Sequence, residues 1–87
     1  MSTKTKEQKL PKWFNGELYG EGAEVTNPFS GQSIELDKYE LSMYDFLMGA
    51  QMTFDVGLSN EKVIKDFQKG LKWFTKKNPK AYMVLLD

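Results

Sequence analysis

The sequence predicts an α+β fold: an N-terminal β-hairpin followed by two main helices and a short C-terminal helix. Three observations carry this expectation. Turn signals crowd the stretch from Trp13 to Leu36 and enclose two short alternating pieces. Asp37 with Glu40 three residues on has the spacing of a capping box, and a long apolar run follows it. From Glu61 to Lys77 apolar residues recur with a helical period until Asn78-Pro79 breaks it. A chain of 87 residues has room for one domain with one modest core.

Taken in order, residues 1–10 are polar, lysine-rich and aperiodic, which predicts a disordered basic tail ahead of a single domain over 11–87. The hairpin is placed at about 23–27 and 32–36. There Val25, Ile34 and Leu36 share one face while Glu24, Thr26 and Glu35 point away. Asn27-Pro28-Phe29-Ser30-Gly31 closes it, with Pro28 fixing its own φ and Gly31 free to adopt positive φ. Asn15-Gly16 has the chemistry of a smaller hairpin turn, but its flanks are short. The first helix starts at the Asp37 cap and runs to about Phe54, with Gly57 as terminator. Ser59 or Asn60 caps the second, over 61–77. After Asn78-Pro79, residues 80–86 are expected to form a short third helix. An apolar run this brief also suits a terminal strand, which periodicity cannot exclude.

Composition excludes several chemistries. Cysteine, histidine and arginine are absent, so all twelve basic residues are lysine. Disulfides, thiolate or imidazole catalysis and histidine or thiolate metal ligation have no residues to use. Gly16, Gly20 and Gly22 lack the strand–helix context of a phosphate loop, and no acidic run has calcium-loop spacing. A non-enzymatic protein is expected, with no cofactor and no small-molecule substrate. No stretch of eighteen apolar residues is present and the first twelve residues lack the apolar core of a secretory signal, so a cytoplasmic location is the expectation.

Equal numbers of acids and lysines hide a segregated charge. Trp13 to Glu61 holds nine acids against Lys38, a net −8. Lys62 to Asp87 holds seven lysines against two acids, a net +5, and Met1 to Lys12 is +3. On the second helix Val63, Ile64, Phe67, Leu71 and Phe74 form the core stripe. Opposite them Lys62, Lys65, Lys69, Lys72 and Lys76 fall within an arc of about 80°, with Trp73 at its edge. This row reads as a solvated face, as a contact for an acidic protein or a second copy, or as a nucleic-acid surface. The missing arginine and the neutral total weigh against nucleic acid.

The first helix has too much apolar surface for one buried face. Leu41, Met43, Tyr44, Phe46, Leu47, Met48, Ala50, Met52 and Phe54 spread round it, leaving a narrow polar band of Lys38, Ser42, Asp45, Gly49 and Thr53. Either the hairpin and later helices surround it, or one flank, assigned to Met43, Phe46 and Ala50, contacts a partner. Gly49 would then permit close approach of a second helix. The leading expectation is a protein–protein interaction module, most simply a homo-oligomer formed through this helix, with polyanion binding by the lysine row as the alternative. Phe29 is a further candidate contact: at the hairpin tip it either folds over the core or is exposed. Asn27-Pro28-Phe29 matches the tripeptide read by eukaryotic endocytic adaptor domains, although three residues in a loop read first as turn chemistry.

The runs Asn27-Pro28-Phe29-Ser30-Gly31, Tyr44-Asp45-Phe46-Leu47-Met48-Gly49 and Ala81-Tyr82-Met83-Val84-Leu85-Leu86-Asp87 resemble those of small uncharacterised proteins of marine bacteriophages and related metagenomes. The likeness covers roughly residues 13–87. It implies a compact phage accessory protein in a bacterial cytoplasm, acting on a host or viral protein, and carries over no functional residue.

Overall fold

A computed structural model of the chain describes residues 10–14, 16–58 and 60–86. The expected tail falls almost wholly outside these residues, and Leu10 already packs against the core. Asn15 and Ser59 also lie outside them, and residues 16–22 carry no strand.

The hairpin pairs β1 (Ala23–Thr26) with β2 (Ser33–Leu36) in antiparallel register. Val25 lies opposite Ile34 and Ala23 opposite Leu36, so the apolar set faces the helices and Leu36 is fully buried. On the other face Glu24 stands directly opposite Glu35, and the Thr26 and Ser33 hydroxyls share a 2.7 Å hydrogen bond. The connection turns at Gly31, whose φ of +79° is readily available only to glycine.

Helix α1 (Lys38–Asp55) begins with the expected reciprocal cap. Glu40 N–H donates to Asp37 Oδ1 at 2.8 Å, and Asp37 N–H donates to Glu40 Oε1 at 3.0 Å. Together these bonds satisfy two amides that a helix start leaves without partners. Helix α2 (Glu61–Lys77) is capped by Asn60, whose Oδ1 accepts from Val63 N–H at 2.9 Å. Helix α3 (Pro79–Leu85) settles the last segment as helix. Pro79 sits in its first turn, where a missing N–H costs nothing, and Asn78 Oδ1 accepts from Ala81 N–H at 3.1 Å.

Asn78 does more than cap. Its Nδ2 donates to Glu40 Oε2 at 3.1 Å, tying the α2–α3 corner to the first turn of α1, and Glu40 is only 6% exposed. Around this tie Leu36, Met43, Leu47, Phe74, Ala81 and Leu85 form the buried core. The α1–α2 crossing is close at Gly70. A methyl there would lie 2.9 Å from Leu47 Cδ2 and 3.1 Å from Met43 Sδ.

The apolar breadth of α1 has an internal explanation. The segment before the hairpin lays Trp13 and Phe14 over its flank, with ring centroids 6.0 and 5.7 Å from that of Phe46. Further along, Ser42 is buried, accepting from Tyr19 N–H at 3.0 Å and donating to the Lys38 carbonyl at 2.7 Å. The polar band of α1 is thus partly covered, at Ser42. No helix among the described residues is long and apolar enough to cross a membrane.

Candidate interaction surfaces

Met43, Phe46 and Ala50 do not form an open face. Met43 is 0% and Ala50 6% exposed, and Phe46 is half-covered by the Trp13–Phe14 pair. The physical reason is Gly70: by letting α2 approach closely it draws the Met43–Leu47 side of α1 inward and leaves the opposite side out. Gly49 lies on that outer side, where a methyl would meet nothing within 4 Å, so it serves no helix contact within the chain.

What remains open on α1 is its outer ridge. Met52 is 68% and Val56, just past the helix end, 70% exposed. With Met48 they follow one another at four-residue intervals, which stacks them along one side. Beside Met48 lies a groove of about 330 Å³ shared by all three helices. Leu47, Met48 and Gln51 of α1 form one wall, and Phe67 and Leu71 of α2 another. Tyr82, Leu85 and Leu86, at the end of α3, complete it. Its lining contains no charged side chain. The groove has no local sequence signal, since its walls come from segments up to 39 residues apart.

The lysine row is where its periodicity put it: Lys62, Lys65, Lys69, Lys72 and Lys76 are all exposed along α2, and Trp73 is half-buried at their edge. Lys62 pairs with Asp66 at 2.8 Å, one turn on. Lys69 Nζ lies 5.8 Å from the centroid of the Trp13 ring, a cation–π distance. Among the described residues Lys65, Lys72 and Lys76 have no ion-pair partner. Trp13 was not legible as part of this surface, because nothing in its sequence position links it to α2. With Lys62, Lys65 and Lys69 it borders a shallow concavity that Glu61 and Asp66 make less positive. The acids gather elsewhere, on the hairpin and around the Tyr19 phenol, whose pKa is raised by local burial and by the Asp45 and Glu17 carboxylates.

Phe29 is 97% exposed. Its position at the hairpin tip is held by a dense set of bonds. Asn27 N–H donates to the Gln32 carbonyl and Gly31 N–H to the Asn27 carbonyl, both at 2.8 Å. Phe29 N–H donates to Asn27 Oδ1 at 2.8 Å, and Asn27 Nδ2 donates to the Val84 carbonyl at 2.9 Å, anchoring the loop on α3. Of the two possibilities for this ring, folded back or projecting, the structure shows the second. Compared with protein-family models, curated proteins and solved structures, the chain matches none.

Proposed function

We propose that the chain is a non-enzymatic interaction module that associates with a second copy of itself. The observation that carries this is the apolar surface left over once the core is complete: exposed Met52 and Val56, in line with half-buried Met48, beside an uncharged groove. A ridge beside a groove on one chain can meet a second copy reciprocally, since a two-fold axis presents the same patch on both. Methionines at the contact repack readily against such a surface. The contact lies on the side of α1 opposite to Met43 and Ala50. The phage-protein resemblance supports a working site in a bacterial cytoplasm.

Light scattering coupled to size exclusion, over a hundredfold range of concentration, tests the proposal. A mass rising from 10.1 kDa toward twice that value supports it. Met52→Glu with Val56→Glu should hold the chain at monomer mass, with its helical circular dichroism intact. A wild-type chain that stays monomeric throughout rejects self-association.

A second reading, polyanion binding, is favoured by Lys65, Lys72 and Lys76, which have no ion-pair partner among the described residues, on the helix that also places Lys69 over the Trp13 ring. It predicts single-stranded DNA affinity that falls steeply between 50 and 200 mM salt, as counterion release requires. Lys65→Glu/Lys69→Glu/Lys72→Glu should abolish that binding. Absent or salt-independent binding rejects it.

A further inference from the structure

We propose that the lysine row of α2 docks on the acidic outer face of the hairpin of a second copy. The contact is separate from the α1 ridge and does not rest on it. Two surfaces of one chain carry opposite, unanswered charge. Lys65, Lys69 and Lys72 are exposed along α2, and none has an ion-pair partner among the described residues. On the hairpin Glu24 stands directly opposite Glu35, both exposed and likewise without an ion-pair partner among those residues. Like charges so placed weaken a strand pair, a cost that cations brought against them relieve. The row does not supply these within the chain. The hairpin packs mainly on α3 and α1, and among the described residues no ion pair joins it to α2.

The spacings of the two charge patterns match. Directly opposed residues of an antiparallel pair have Cβ atoms about 4.5–5.5 Å apart, and helix residues three or four apart are separated by about 5–6 Å. The Glu24–Glu35 pair therefore meets Lys65 with Lys69, or Lys69 with Lys72, while strand and helix keep their regular geometry. These lysines border a concavity of about 420 Å³ that Gln68 and Leu71 also line. Carboxylates seated there are partly withdrawn from water, where opposite charges attract more strongly than on an open surface. A second copy is the partner because the chain carries both signs in balance, twelve lysines against twelve acids. What segregation leaves over on one face of a molecule is answered by the other face of the next. Single exposed ion pairs contribute little, so the contact is weak and sensitive to salt.

The experiment treats an equal mixture of unlabelled and isotope-labelled protein with a carbodiimide, which joins an amine to a carboxylate only where the two touch. Mass spectrometry then reads the cross-links that pair a light peptide with a heavy one, and so lie between copies. Such links should join Lys65, Lys69 or Lys72 to Glu24 or Glu35. Raising salt from 0.01 M to 1 M, which shortens the screening length from about 30 Å to about 3 Å, should reduce their yield at least about tenfold. The same links should form in Met52→Glu/Val56→Glu, where the ridge contact is severed. In that background Glu24→Gln/Glu35→Gln should weaken association in sedimentation at 0.01 M salt at least about tenfold, with no fall in the unfolding midpoint. Links between copies that avoid the hairpin acids, or none at all, overturn the inference, whether or not the row binds single-stranded DNA. Links that vanish with Met52→Glu/Val56→Glu belong to the ridge assembly and overturn a separate contact, while self-association through α1 stands. Links at the hairpin from a chain that shows no ridge contact support this inference and reject that one.

Discussion

Two glycines sit in mid-helix, and replacing each by alanine should move stability in opposite directions. Alanine is favoured over glycine in a helix interior by about 0.8–1 kcal/mol, because glycine gives up more backbone freedom on folding. At Gly49 that gain should appear whole. The backbone φ is negative, the position is exposed, and an added methyl meets nothing within 4 Å. For a domain of this size about 1 kcal/mol corresponds to a rise of roughly 4–8 °C in Tm. At Gly70 the same methyl would lie 2.9 Å from Leu47 Cδ2 and 3.1 Å from Met43 Sδ, and both side chains are fully buried. Overpacking of this kind costs about 1–3 kcal/mol, which cancels the helical gain and leaves a net loss of roughly 0–2 kcal/mol. Thermal and urea unfolding of dilute protein, read by circular dichroism at 222 nm, gives both values. Gly49→Ala failing to stabilise would show that something covers that side of α1. Gly70→Ala stabilising as much as Gly49→Ala would refute the close α1–α2 crossing.

Other positions yield simpler expectations. Asn78→Ala removes the cap of Ala81 N–H and the bond to buried Glu40, so it should cost about 1–3 kcal/mol in urea unfolding. Asn78→Asp keeps the cap but sets a carboxylate against Glu40 Oε2, and should be less stable than wild type at neutral pH until Glu40→Gln is added. Glu35→Lys replaces a like-charge pair across the hairpin by an opposite one and should stabilise by about 0.5 kcal/mol, an effect that high salt reduces. Trp13→Ala uncovers the Phe46 flank and should destabilise by about 2 kcal/mol, with raised binding of a hydrophobic dye. An unchanged midpoint would mean that the flank is covered by something else.

What was legible in the sequence was what depends on near neighbours. Asp37 and Glu40 are three residues apart, so their cap is written in local spacing, as is the double service of Asn78-Pro79 as stop and start. The shared face of Val25, Ile34 and Leu36 followed from their alternation with polar residues, and the lysine row from a 3.6-residue period, whereas the hairpin register, Val25 opposite Ile34, was not legible. Which side of α1 would be buried was not legible. Met43 and Ala50 are no more apolar than Met48 and Met52, and the choice is made by Gly70 and by Trp13 and Phe14, on other segments. The Glu40–Asn78 bond spans 38 residues and has no local signature. Nor does Phe29 announce its exposure, since a phenylalanine beside a turn serves equally well as a lid or as a projection.

The seven residues of α3 are too few to hold a helix unaided in water, yet they supply Ala81 and Leu85 to the core, and their cap Asn78 makes the bond to Glu40. A nascent chain therefore leaves the ribosome with Leu36, Met43 and Leu47 still open on one side until residues 81–85 have been made. The apolar side of α1 spends that interval wet. Until residues 81–85 join the fold, that exposed apolar surface is open to aggregation or to capture by a chaperone.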